Sequence, residues 1–337
     1  MKILYVGDLE SSGSCAMRMK ALGELGHRVT GVSTEKYLNW GGKISGYLFR
    51  HYFFGPVLGI NRDLLEAFGK EKPDLVWVDK GRLVLPQTLQ KIKDSKAKLV
   101  HYTPDAAFNK YCESRHFNRS IPLYDLIVTT KSYDVEEYHR RGTRRLLFQP
   151  PAYDKYYHHP VKLTPEEKKT YGSDVTFVGH WERDRGNYLI KVMQAGIRLA
   201  VWGPHFQNCG NEEFMKTCWR GKAVFHDKYA KALSATKIGL GFLSKQYPDK
   251  TTSRTFEIPA CGPLFVAERT EEQKALFRED KEAVYFGDAE ELVSKLKYYL
   301  SHESARKKLA AQGHRHCIQG KNSYHDRLRE IIREAQK

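Results

Sequence analysis

No Asp-x-Asp pair and no Cys-x-x-Cys pair occurs in the 337 residues, and no apolar run approaches the roughly 20 needed to span a bilayer. The first absence argues against a divalent metal gripped by paired carboxylates. The histidine groups His158–His159 and His314–His316 lack the spacing of a zinc site and read as surface residues. The second absence, with six cysteines spread over the whole chain (Cys15, Cys112, Cys209, Cys218, Cys261 and Cys317), suggests no disulfide framework and fits reduced thiols in a cytoplasmic protein. The third leaves no candidate for a membrane-spanning helix. The opening "MKILYVGD" is too short for the apolar core of a signal peptide and reads as a first β-strand. Low-complexity tracts are also missing, so the chain is globular, and its length suits two domains.

What is abundant is positive charge. Lys and Arg number 56 against 40 Asp and Glu, for a formal net charge of +16. Such an excess favours anionic partners: phosphorylated small molecules, lipid headgroups or nucleic acid. Nucleic acid is the least favoured, because there is no arginine-rich arm and no aromatic-basic RNA-binding signature.

Apolar runs alternate with helical patterns. "KILYVG", "HRVTGV", "PDLVWVD", "AKLVHYT" and "YDLIVTT" read as strands, too continuous for a sheet with one wet face. A proline-rich stretch, "LLFQPPAYDKYYHHPVKLTPEEKKTYG", interrupts the rhythm, which restarts with "SDVTFVG", "IRLAVWG", "KAVFHD", "KIGLGFLS", "PLFVAE" and "EAVYFG". The expected fold class is α/β: two Rossmann-like, doubly wound parallel-sheet domains facing a central cleft. Residues 1–150 form the first, 151–172 the linker, and 173–337 the second, with the last helices able to pack back on the first.

Two stretches carry candidate chemistry. "TTSRTFEIPACG" lies in a strand–helix–strand crossover. Thr251, Thr252 and Ser253 are N-cap residue types, and Arg254 adds a cation where a helix start favours phosphate. Glu257 sits one turn on, where a carboxylate accepts from hydroxyls such as a ribose diol. The bland alternative is a capped surface helix with an Arg254–Glu257 pair and a kink at Pro259. In "FVGHWERDRG", Gly179 ends a strand, and His180, Arg183 and Arg185 crowd one loop before a helix. Together they would neutralise a diphosphate without a metal. The bland alternative is a solvated loop whose arginines are balanced by Glu182 and Asp184.

On these residues the second half resembles the glycosyltransferases of family 4 and, more closely, the spore-maturation (CgeB-like) group, which have the GT-B fold. "TSRTFEIPACG" is similar to that group's donor-binding helix. Gly179 and Gly186 fit the glycines of its diphosphate motif, with His180 in the Arg place and Arg185 in the Lys place. In its Glu-x7-Glu signature, Asp249 stands for the first Glu and Glu257 is the second. The resemblance implies that Glu257 holds the ribose, Asp249 meets the donor sugar, and the loop at His226 reads the base through its backbone. It also places Gly13, in the loop Ser11–Ser14, near donor phosphate. Asp105, after "VHYTP" with His101 and Tyr102, becomes an acceptor contact or base. The implied activity is sugar transfer from a nucleotide-diphosphate sugar, as co-substrate and with no other cofactor, to a glycan, lipid-linked sugar or protein, with retention. An epimerase or phosphorylase on the same fold, and a non-enzymatic anion-binding module, stay open.

The aromatic stretch at 37–60, with Trp40, Tyr47, Phe49, Tyr52, Phe53 and Phe54 among Lys43, Arg50 and His51, reads as helices packed on the first sheet. Its alternatives are an acceptor wall or a contact with the inner face of an anionic membrane.

Overall fold

The computed structural model describes residues 1–9, 13–38, 42–52, 55–110 and 112–337, the side chains of 38 and 42–46 excepted. Ser11, Ser12, Trp40, Phe53 and Phe54, and the Lys43 side chain, lie outside what is described. The chain divides into two compact units, Met1–Pro150 with Tyr324–Lys337, and Pro151–Ser323.

The first unit is built on β1 (Lys2–Gly7), β2 (Arg28–Ser33), β3 (Leu75–Asp79), β4 (Lys98–Thr103), β5 (Leu126–Thr129) and β6 (Leu146–Phe148). All pair in parallel, in the order β2-β1-β3-β4-β5-β6. Burial on both faces explains the continuous apolar runs. Leu4, Val6, Val76 and Val78 meet Val57, Ile60 and Leu64 of helix Gly55–Glu71 in one cluster. On alternate positions Tyr5, Trp77 and Tyr102 stack across three strands, with ring centroids 6.0 and 5.7 Å apart. The C-terminal helix Tyr324–Gln336 packs on helix Ser14–Glu24 in this unit, where His325 lies 2.6 Å from Glu24. Gln149 donates to Glu330 at 2.8 Å at its far end.

The second unit holds β7 (Ser173–Val178), β8 (Leu199–Trp202), β9 (Thr236–Gly241), β10 (Leu264–Glu268) and β11 (Val284–Phe286), also parallel, in the order β11-β10-β9-β7-β8. Both sheets are doubly wound: the order reverses between β1 and β3 and between β7 and β9. In open sheets of this kind ligands bind beyond the carboxyl ends of the strands at that reversal.

Three readings change at this level. Leu146–Phe148, inside the expected first domain but not read as a strand, joins its sheet as β6. The remainder of the proline-rich stretch falls in the second unit, with Tyr153 buried and a capped helix at Pro165–Tyr171. Lys222–Asp227 is not a strand: Gly221 turns the chain at φ 101°, helix His226–Ser234 begins soon after, and no partner strand remains beyond the edge strand β8. Helix Gly42–His51 does pack inward through Phe49, but Tyr47, Tyr52 and Leu58 stay exposed.

Candidate active site

At the β7/β9 reversal the sequence builds a dense ionic knot. Trp181 lies across the first turn of helix Arg183–Gln194, where a Cβ on Gly186 would come within 1.9 Å of its ring. That contact requires glycine. Gly203, at φ 153°, lets the chain after β8 approach the Gly179 carbonyl, which a Cβ would meet at 1.8 Å. Gly179 is needed for a different reason: a Cβ there would meet the Phe177 ring at 2.6 Å.

The centre of the knot is Glu182, a residue the motif reading passed over as a surface counter-charge. Its side chain is 5% exposed and lies 3.0 Å from Arg185, itself 3% exposed. Oε1 of Glu182 also accepts from the Ser244 hydroxyl at 2.9 Å, and Oε2 accepts the Lys245 N–H at 3.1 Å. Nε2 of His180 lies 2.9 Å from Oε1. The same nitrogen lies 3.1 Å from the Arg185 guanidinium, which only donates, so the two contacts call for opposite protonation of Nε2. Burial would raise the Glu182 pKa. The His180 hydrogen bond, the Arg185 charge and the Lys245 and Ser244 donors outweigh it and bring the carboxyl down to about 2.

These contacts bear on two assignments. Arg185 is spent inward, on Glu182, on the Leu243 carbonyl at 3.3 Å and on the His180 carbonyl at 3.4 Å. His180 is likewise engaged. Arg183, like Asp184, is exposed. The cation left over is Arg254, whose Nε is buried without a hydrogen-bond partner and whose guanidinium lies 5.7 Å from the Phe177 ring centroid. The bland alternative of an Arg254–Glu257 pair is not what forms, because Glu257 accepts from the Tyr229 hydroxyl at 2.9 Å. Arg254 still acts on the knot. Burial first, and then the like charge of Arg254, bring the Arg185 pKa down to about 10. Two guanidiniums in mutual repulsion, one of them with its Nε unpartnered, favour an incoming anion.

The loop from β9 toward Arg254 is strapped from a second side. Glu268, at the end of β10, accepts the Leu243 N–H at 2.7 Å and pairs with the Lys245 ammonium. Asp249 lies on this loop, close enough for its charge to act on Arg185. Ser253 does not cap the helix Arg254–Ala260: it is already in helical conformation, at φ −57° and ψ −32°, and makes no side-chain cap bond. Thr252 is bonded locally, its N–H donating to Thr255 at 3.3 Å. His226 stacks on Tyr157, with centroids 4.1 Å apart, and its Nε2 is buried without a partner. His158, expected at the surface, is buried; that burial lowers its pKa, and its ring meets Tyr229 edge-on. A wider groove of about 490 Å³ opens at the amino ends of β9 and β10, beside Thr236 and Pro263, away from the reversal point.

Gly13 and Asp105 belong to the first unit, and their surroundings differ. Gly13 stands at φ −84° before helix Ser14–Glu24, a conformation open to any residue. Asp105 lies 2.5 Å from Arg82 and 3.3 Å from Lys80. Burial would raise its pKa, but Lys80 and Arg82 together hold it below the usual carboxylate range. His101 does not share this edge. It is fully buried between Phe117 and Tyr124, and burial drives its imidazole down to about 3. A cavity of about 150 Å³ lies at the β1/β3 reversal, lined by Asp8, Thr34, Asp79, Lys80 and Arg82 among others. Beneath it Asp79 accepts from Tyr5 at 2.6 Å and from Arg18 at 2.7 Å. Among the described residues, no group of three or more His, Cys, Asp or Glu is placed to hold a metal ion. No described helix is long and apolar enough to cross a membrane.

Residues 183–333 match the family model described as "Glycosyl transferase-like". No curated protein sequence matches the chain. Among solved structures it is similar to the sucrose-phosphate synthase (tll1590) of Thermosynechococcus elongatus, at 12% identity and a TM-score of 0.70, over 99% of this chain and 98% of that one. It is similar to Anabaena Alr3699/HepE in complex with UDP-glucose, at 12% identity and a TM-score of 0.65, over 98% and 99%. An alpha-glucosyltransferase in complex with UDP and a 13-mer DNA containing a HMU base matches at 14% identity and a TM-score of 0.70, over the full length of both chains. The fold is therefore that of the GT-B glycosyltransferases, and the knot lies at the start of the matched segment.

Proposed function

We propose that this protein transfers a sugar from a nucleotide-diphosphate donor to an acceptor hydroxyl, without a metal and with retention at the anomeric carbon. The observation that carries the reading is the Arg254 guanidinium, its Nε buried without a partner, beside the buried, charge-stressed Arg185 at the β7/β9 reversal. As the sugar–oxygen bond breaks, negative charge grows on the leaving diphosphate. A cation fixed there before reaction stabilises that charge without reorganising, and such terms are usually the largest in a site of this kind.

In this reading Arg254 touches the diphosphate, with Thr252 and Ser253 beside it. Arg185, His180 and Glu182 set its surroundings instead of meeting the ligand. Glu257 takes the ribose, Asp249 the donor sugar, and the loop at His226 the base. Asp105, held ionised by two cations, is a strong hydrogen-bond acceptor and a poor general base. That suits orienting an acceptor hydroxyl in a retaining reaction, which needs no strong protein base. UDP-glucose is the first donor to test, because Alr3699/HepE was crystallised with it. Contact with an anionic membrane is part of the proposal, through exposed Tyr47, Tyr52 and Leu58 near Arg50, and vesicle sedimentation tests it.

The experiment is a melting-temperature screen across nucleoside diphosphates and their sugars, followed by donor turnover. A ligand that binds the native state raises the melting temperature. Stabilisation by one nucleotide class, with turnover lost in Arg254→Ala, is the expected outcome. No shift with any nucleotide contradicts the proposal.

A further inference from the structure

Glu257 is not left to swing on its helix. Tyr229, buried on helix His226–Ser234, donates from its hydroxyl to Oε2 of Glu257 at 2.9 Å. It is the one hydrogen-bond donor to Glu257 among the described residues. Tyr229 is braced in turn. His158 meets its ring edge-on, with centroids 5.3 Å apart. Nδ1 of His158 accepts the Asp154 N–H at 2.9 Å, which fixes the hydrogen of the neutral ring on Nε2. The Asp154 carboxylate closes the same turn by accepting from the N–H groups of Tyr156 at 2.8 Å and Tyr157 at 3.2 Å. A turn from the proline-rich stretch thus supports the ring that holds the glutamate.

We infer that Tyr229 is a positioning residue: it holds Glu257 in one rotamer, so that the carboxylate selects nucleotides carrying vicinal ribose hydroxyls. This rests on the assignment of Glu257 to the ribose made above. Each carboxylate oxygen has two lone pairs. With Tyr229 bound, Oε2 keeps one and Oε1 keeps both, enough to accept from both hydroxyls of a diol. A glutamate without Tyr229 loses rotamer freedom on binding; here that loss is taken at folding. Burial, and then the charge of Glu257, hold the Tyr229 phenol well above its ordinary pKa, so it stays a donor throughout the neutral range.

The test compares the tightest binder among UDP, GDP and ADP with its 2′,3′-dideoxy counterpart, by calorimetry, on wild type and Tyr229→Phe. Phenylalanine keeps the ring and the His158 contact, and a melting curve verifies the fold. Wild type is expected to prefer the diol by about tenfold, and Tyr229→Phe to lose most of that preference while its dideoxy affinity holds. A preference that survives in Tyr229→Phe overturns the positioning role alone. Equal weakening of both ligands also overturns it, because that is what a merely structural tyrosine gives. A wild type with no diol preference contradicts the Glu257 assignment itself, and this inference falls with it.

Discussion

The reversal points of the two sheets share a plan and differ in how their cations are paired. In the first unit Arg18 and Asp79 form a pair 2.7 Å apart, 2% and 0% exposed. In the second Arg185 and Glu182 do the same at 3.0 Å. Above the first pair, Lys80 and Arg82 are matched by Asp105. Above the second stands Arg254, with its Nε unpaired. Each edge holds one cation more than carboxylates in this set, but at the first every cation contacts Asp79 or Asp105, while at the second the Arg254 Nε has no partner. Topology marks both edges as places where a ligand binds. The unpartnered Arg254 Nε is the reason the proposal puts the anion at the second. A buried donor without a partner is costly, so a fold that keeps one, as at the half-buried Arg254, favours a ligand that supplies it.

The largest effect expected from disturbing this contrast is on turnover. Arg254→Ala removes the cation whose Nε has no partner, and donor turnover should fall by at least about a hundredfold, with the melting temperature little changed. Glu257→Ala should do the same. Retained turnover in both would end the proposal.

Next in size is a loss of stability confined to the first unit's pair. Arg18→Met leaves Asp79 buried and unpaired, and should cost about 3–5 kcal/mol in urea unfolding. Tyr5 remains as a donor to Asp79, so a value at the lower end is expected. A change below about 1 kcal/mol would mean that the pair is not the buried contact described.

A third test unbalances the first edge. Arg82→Ala removes one of the two cations that depress Asp105, so the Asp105 pKa should rise toward its ordinary value. If Asp105 meets the acceptor as a carboxylate, the acid limb of the pH–rate profile moves to higher pH. An unmoved limb excludes it from the rate.

The smallest effect concerns Glu182. Its pKa is lowered on folding from 4.5 to about 2, so its stabilisation is fully present above about 4.5 and is lost as the pH falls through 2. The stability gap between wild type and Glu182→Gln should therefore shrink as pH is lowered across that window. A pH-independent gap would assign the loss to packing.

The strands were legible because a parallel sheet is buried on both faces and leaves unbroken apolar runs in the sequence. β6 escaped because it has three residues, one of them the exposed Phe148, and then runs into Gln149-Pro150. Lys222–Asp227 deceived because Val224 is buried without being paired to any strand. In the site, residue types were legible and partners were not. Glu182 gains its meaning from Ser244 and Lys245, 62 and 63 residues away, which no local pattern reveals. Tyr229 meets Glu257 across 28 residues, and the His158 that braces it lies in a stretch that read as a connector. The arginines show the limit most plainly. Spacing offered Arg185 and Arg254 alike as phosphate ligands, yet the fold turns Arg185 inward and leaves the Arg254 Nε without a partner.

The most direct test is calorimetric binding of UDP, GDP and ADP to wild type and Arg254→Ala, with a chelator and again with magnesium. The account predicts that wild type binds at least one of them equally well in both, and that Arg254→Ala weakens it by more than about tenfold. Binding that needs magnesium, or that ignores the loss of Arg254, would contradict it.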